Sequence, residues 1–84
     1  MKVTIEEFRD SLMMNGHDSS DNDCKEIMQE FIDHYNDMFN GKDEAGNPTS
    51  AVLINDEVVI NFETSDFFSE GDIESLIDDF FSEL

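Results

Sequence analysis

Carboxylates are the most numerous side chains in this chain that could do chemistry. Asp and Glu account for 22 of the 84 residues and Lys and Arg for 4, so the formal net charge is −18 at pH 7. Paired carboxylates can cleave glycosides, but among so many acids close pairs arise by chance. No glycine-rich phosphate loop or nucleophile motif accompanies them. We therefore expect no catalytic activity and no cofactor.

Metal binding is the second chemistry that these residue types suggest. Counted from Asp18, an EF-hand loop needs Gly at position 6 and a bidentate Glu at position 12. The chain has Asp23 and Gln29 at those two positions. His17 and His34 have no pair of cysteines with which to complete a zinc site, and we interpret both as ordinary surface or boundary residues. We expect no dedicated metal site.

The cysteine content and the N-terminal sequence bear on the compartment. The one cysteine, Cys24, cannot form an intrachain disulfide, so nothing marks an oxidising compartment. The opening residues MKVTIEEFRD lack the apolar region of a secretory signal. No run approaches the ~20 apolar residues of a membrane span. We expect one cytoplasmic domain, residues 1–84, because the length suits a single domain.

Hydrophobic periodicity predicts two helices in the N-terminal half. Thr4 and Glu7 have the spacing of a capping box for a helix over residues 4–15, and Gly16 suits its C-terminal end. The next apolar residues repeat at the 3–4 spacing of a long amphipathic helix, which Gly41 closes. Its apolar stripe comprises Cys24, Ile27, Met28, Phe31, Ile32, Tyr35, Met38 and Phe39.

Two β-branched segments predict a hairpin after the long helix. The strands are Ser50–Ile54 and Val58–Phe62, and the turn lies at Asn55-Asp56 or Asp56-Glu57. A lone two-stranded hairpin is marginal in water. It must therefore pack on the helices, pair with another chain or gain a third strand.

The C-terminal third predicts a short helix followed by a longer one. Ser65 or the preceding threonine caps a short turn of helix that holds Phe67 and Phe68. Gly71 interrupts the helical pattern, and the last helix runs from about Asp72 to the end. The expected fold is therefore α+β: two N-terminal helices, a β-hairpin, then a short and a longer C-terminal helix.

The acidic residues fall in rows on these elements. On the long helix they follow at spacings of 4, 3 and 4, which places them on one face, opposite the apolar stripe, about 5–6 Å apart at 1.5 Å of rise per residue. Like charges at such spacing destabilise an isolated helix by about 0.2–0.5 kcal/mol per pair, so their accumulation favours a surface selected for charge. The candidate partner-binding residues are Glu26, Glu30, Asp33, Asp37, Asp56, Glu57, Glu70, Glu74, Asp78 and Asp79.

Such rows are similar to the charge repeat of a nucleic-acid backbone. In B-DNA, successive phosphates of one strand are separated by about 3.4 Å along the helix axis. In size, charge, lack of disulfides and acidic rows on short helices, the chain resembles the small acidic DNA-mimic inhibitors of bacteriophages. These include anti-CRISPR, anti-restriction and uracil-DNA glycosylase inhibitor proteins. The resemblance is one of class rather than of motif, and it implies action in the cytoplasm of a bacterial host cell.

The resemblance implies a basic nucleic-acid-binding protein as the partner. A Cas effector is the first candidate, because it holds nucleic acid in a positively charged channel, and a restriction or repair enzyme is the next. Direct nucleic-acid binding is not expected, because four scattered cations cannot neutralise phosphates, and neither is binding to anionic membranes.

Three alternatives stay open. An immunity protein or antitoxin that neutralises a basic nuclease needs almost the same surface. Adaptation to high salt also favours a strongly acidic composition. An exposed member of the Phe67-Phe68 or Phe80-Phe81 pair could anchor a homodimer.

Overall fold

The computed structural model describes residues 1–17 and 21–83, and these residues form an α+β fold. Residues 18–20, which belong to the rejected calcium loop, lie outside the described residues. In chain order the elements are β1 Lys2–Val3, α1 Ile5–Met14, α2 Asp21–Phe39, β2 Ser50–Ile54, β3 Glu57–Asn61 and α3 Glu70–Ser82. The predicted α+β class is confirmed, but the described part of the chain has three helices, where we expected four.

Strand β1 is the third strand that the hairpin needs. The antiparallel sheet has the order β1-β3-β2, with Lys2 opposite Val59 and Val3 opposite Val58. Beyond this register, the backbone N–H of Ile60 donates to the Met1 carbonyl at 2.8 Å, and the Met1 ammonium donates to the Ile60 carbonyl at 3.0 Å. The N-terminus therefore closes one edge of the sheet.

The hairpin turn lies at Asn55-Asp56, the first of the two predicted positions. Both residues have positive φ, 51° and 62°, as a type I′ turn requires. Ile54 pairs with Glu57 across the turn, so β3 begins one residue earlier than predicted.

The two faces of the sheet differ in burial. Ala51, Val58 and Ile60 are buried beneath the helices, whereas Val52 and Ile54 on the opposite face are exposed. Helices therefore pack on one face only, and the carboxylate rows lie on that layer of helices.

Helix α1 is defined by its caps. The backbone N–H of Glu7 donates to Thr4 Oγ1 at 3.2 Å, as the capping-box spacing predicts. At the other end Gly16 has φ +85°, and the His17 N–H donates to the Leu12 carbonyl at 2.9 Å. This last bond is the 6→1 contact of a Schellman motif.

Aromatic side chains join the three helices in the core. The rings of Phe8 and Phe81 meet edge to face with centroids 4.6 Å apart, and Phe31 contacts Phe80 at 5.5 Å. Contacts of this kind add about 0.5–1.5 kcal/mol to the burial of the rings. Residues of α1, α2 and α3 thereby share one apolar cluster, which fixes the directions of the three outer faces.

The short helix predicted around Phe67-Phe68 is wrong. Ser65 Oγ accepts the N–H groups of Phe67 and Phe68 at 3.3 and 3.1 Å, but the turn does not continue as a helix. Asp72 instead accepts the Ser69 N–H at 2.8 Å and starts α3 at residue 70. Only residue 69 separates the turn over residues 65–68 from the start of α3 at residue 70, so there is no room for another helix. Gly71, expected to interrupt the helical pattern, lies inside α3.

Candidate partner-binding surface

Four exposed carboxylates form what we name the α2 row: Glu26, Glu30, Asp33 and Asp37. From Glu26 to Asp37 the row rises by 11 residue steps, about 16 Å along the axis at 1.5 Å per residue. No Lys or Arg lies between its first and last members. The Gln29 amide donates to Asp33 Oδ1 at 3.1 Å. Because the amide is neutral, this bond does not neutralise the carboxylate of Asp33.

Contacts on the opposite face of α2 orient the row. Phe31 and Tyr35 are fully buried. The amide of Asn36 accepts the Ala51 N–H at 2.8 Å and donates to the Ala51 carbonyl at 2.9 Å. The Asn36 amide thus pairs with the backbone N–H and carbonyl of Ala51, which a further strand would otherwise pair with on this edge of β2. Because these bonds fix the rotation of α2, the α2 row faces away from the sheet.

The hairpin tip lies beside the start of α2. Lys25 Nζ lies 3.4 Å from Asp56 Oδ2, with both side chains about half exposed. Asp56 therefore adds to the acidic surface near the start of α2, but the ammonium of Lys25 partly offsets its negative charge. Glu57, the other predicted residue of the tip, is half-buried.

The acids of α3 form a shorter row of Glu70, Glu74 and Asp78, with Asp79 beside it. Glu74 and Asp78 line a groove of about 290 Å³ between α1 and α3, together with Glu7 of α1. Asp79 is one residue further along and therefore about 100° further around the helix. Glu70, Glu74, Asp78 and Asp79 are all exposed, so the predicted residues of α3 divide between two flanks.

Asp43, which no sequence pattern marks as a site residue, is one of two buried polar residues among those whose burial the structure describes. Its Oδ1 accepts the N–H groups of Ala45 and Asn47 at 2.9 and 3.0 Å. This is the Asx-turn chemistry typical of Asp in tight loops. The sequence Asp-Glu-Ala-Gly-Asn-Pro indicates such a turn but not the burial of its carboxylate.

A buried hydrogen-bond chain lies next to Asp43. The Thr49 hydroxyl donates to the Asn61 carbonyl at 2.8 Å, so it accepts from the Tyr35 hydroxyl, 2.7 Å away. Burial raises the pKa of Tyr35 above its ordinary value of 10.0, and the negative charge of Asp43 raises it further. The charge of Asp43 therefore acts on Tyr35, one turn before the end of α2.

The two histidines differ in their surroundings. His17 Nε2 lies 3.0 Å from the Phe81 carbonyl near the end of α3, so His17 links the end of α1 to α3 and is more than a loop residue. His34 is exposed, with its ring 5.5 Å from that of Phe80. Among the side chains that the structure describes, no three of His, Cys, Asp or Glu are placed to hold a metal ion.

Comparisons with protein-family models, with curated proteins and with solved structures each find no match to this chain. No helix in the described ranges combines the length and the apolar character that crossing a membrane requires.

Proposed function

We propose that this chain is a DNA-mimic inhibitor, which binds the basic nucleic-acid-binding surface of a bacterial defence protein and so blocks access of DNA. A Cas effector is the first candidate for the partner, and a restriction or repair enzyme is the next. The observation that carries the proposal is the α2 row, four exposed carboxylates along about 16 Å of one helix with no intervening cation.

Electrostatics explains how such a surface would act. A field from a net charge of −18 speeds the encounter with a basic cleft at low salt. On docking, Lys and Arg side chains that grip phosphates would meet carboxylates about 5–6 Å apart along the helix. The aromatic core and the Asn36–Ala51 contact hold the row in place, so little ordering entropy would be lost on binding.

A toxin-neutralising immunity protein remains the second candidate function, since the same surface would bind a basic nuclease. The two functions predict different partners. A nuclease encoded beside this chain supports the immunity protein, whereas a defence enzyme whose DNA binding is blocked supports the inhibitor.

The test begins with the tagged chain immobilised and a bacterial lysate applied at low salt and eluted by a salt step. DNA binding by the eluted protein is then measured with and without the chain. We expect the triple variant Glu30→Lys, Asp33→Lys and Asp37→Lys to lose inhibition, because three contacts of the row become repulsive.

A matched control carries Asp10→Lys, Glu63→Lys and Asp66→Lys. These acids are exposed and lie outside the candidate surface. Each substitution changes the charge by +2, so both variants go from −18 to −12. Inhibition retained by the control and lost by the α2 variant supports the proposal. Equal inhibition by the two variants would reject the α2 row as the binding surface, provided that circular dichroism shows both to be folded.

A further inference from the structure

A cavity of about 420 Å³ lies where α2 ends, beside the start of α3. Its apolar lining comes from Met38, Phe39, Phe68 and Leu76. Its polar lining comes from Lys42, Asp43, Glu44, Asp72 and Ser75. The cavity therefore combines aromatic and aliphatic walls with three carboxylates and one ammonium group.

Asp43 distinguishes this cavity from an ordinary acidic surface. The residue is only 6% exposed, and its Oδ1 is occupied by two backbone N–H groups. Its Oδ2 is buried and accepts no hydrogen bond from the part of the chain that the structure describes. A buried carboxylate oxygen without a donor is costly, so this position favours a donor supplied by another molecule.

The end of α2 adds to the negative potential. A helix carries roughly half a negative charge at its C-terminus, and α2 has no basic residue in its last turn. Asp72 and Glu44 contribute exposed carboxylates, against the single ammonium of Lys42. The potential at the cavity therefore favours a cation.

We propose that this cavity holds an arginine side chain of the partner protein, with the guanidinium at Asp43 and the aliphatic stem along Phe39 and Phe68. Arginine fits better than lysine, because a planar guanidinium stacks on aromatic rings and presents several donors to carboxylates. Reaching Oδ2 requires a small movement of the loop around Asp43.

The inference rests on the proposed function and specifies one contact of the same surface. The α2 row ends at Asp37, and the cavity begins at the next two residues, Met38 and Phe39. Met38 lies about 100° further around the helix than Asp37, so a basic partner that also fills the cavity must reach around the C-terminal end of α2. The row would supply long-range attraction and the cavity one specific anchor.

The experiment titrates the ¹⁵N-labelled chain with N-acetyl-arginine amide at low salt and follows amide chemical shifts by NMR. We expect shifts at residues that line the cavity. Asp43→Asn keeps Oδ1 as the acceptor of the Asx turn but removes the charge, and it should weaken binding by about tenfold. Ser75→Trp keeps the charge and fills the cavity from an exposed position on α3, and it should weaken binding equally.

Asp10→Asn is the matched control, since it removes one exposed charge outside the candidate surface and leaves the cavity intact. Binding by this variant that stays within about twofold of wild type supports the inference. An equal loss in Asp10→Asn and Asp43→Asn, or shifts spread over the whole surface, would overturn it. N-acetyl-lysine amide binding as tightly as the arginine amide would overturn the choice of arginine.

This titration needs no macromolecular partner. Binding of the arginine amide in the cavity, combined with full inhibition by the α2 triple variant, would reject the α2 row as the docking surface but leave the cavity as a guanidinium site. Loss of inhibition by that variant without any arginine binding would reject the cavity alone.

Discussion

The α2 row and the cavity at Asp43 are both rich in carboxylates, but the fold holds these groups in opposite ways. The members of the α2 row are exposed, and the backbone would keep its shape without them. Asp43 is buried and fastens its loop through two backbone N–H groups, while Asp72 accepts the N–H that starts α3.

The difference shows that position decides what a carboxylate does in so acidic a chain. In the row, neighbouring charges repel one another and destabilise the fold slightly, a cost that the proposed binding function would offset. At the cavity, the carboxylates satisfy backbone donors and stabilise the fold. The two regions should therefore respond with opposite sign when their carboxylates are removed.

The largest effect is expected for Asp43→Ala. Ala45 and Asn47 would each lose the acceptor of a backbone N–H, and relief of the buried Oδ2 would offset part of the loss. We expect the free energy of unfolding to fall by about 2 kcal/mol, measured by urea denaturation. Asp43→Asn keeps Oδ1 and should lose less than about half as much. An equal loss in both variants would contradict the assigned role of the Asx turn.

The second effect has the opposite sign. Replacing the α2 row with Glu26→Gln, Glu30→Gln, Asp33→Asn and Asp37→Asn removes three neighbouring like-charged pairs. We expect the free energy of unfolding to rise by about 1 kcal/mol at low salt, again measured by urea denaturation. The gain should disappear at high salt, where the charges are strongly screened. A loss of stability at low salt would show that the row supports the fold.

The control for this second prediction is Asp10→Asn, Glu63→Gln and Asp66→Asn. These acids do not form a helical row, so their neutralisation should stabilise the chain less. An equal gain would assign the effect to net charge and would remove the distinction between the row and other exposed acids.

The smallest effect concerns Tyr35, the only tyrosine in a chain without tryptophan. Its raised pKa contributes stability that is fully present below pH 10.0 and is lost as the pH rises through the folded-state value. Because the charge of Asp43 contributes to the rise, Asp43→Asn should lower this pKa and begin the alkaline loss of stability earlier. Tyrosinate absorbance during a pH titration measures the pKa of Tyr35. An equal pKa in the wild type and in Asp43→Asn would show that the charge of Asp43 does not act on Tyr35.

Much of the fold was predictable because its signals are local. The 3–4 spacing of apolar residues predicts α2, and the Thr4–Glu7 spacing predicts the cap of α1. Asn55 and Asp56 tolerate the positive φ that the hairpin turn requires. Each of these signals acts within a few residues and needs no knowledge of distant contacts.

The features that the sequence did not predict depend on pairing with a distant strand or on competition between two neighbouring turns. Strand β1 has two residues, too few to show alternation, and exists because β3 offers a free edge. The turn at Ser65 was expected, but the capping contact between Ser69 and Asp72 starts α3 so soon that the turn cannot grow into a helix.

The net charge and the alignment of the α2 row follow from the order of the residues alone, because residues three and four apart share a face of any α-helix. Which carboxylates are exposed and which line cavities depends on the packing of the helices. Asp43 meets Asp72 around one cavity, and Glu7 meets Asp78 along another. Such meetings depend on how the apolar faces of the helices pack, and packing brings together residues that no local pattern connects.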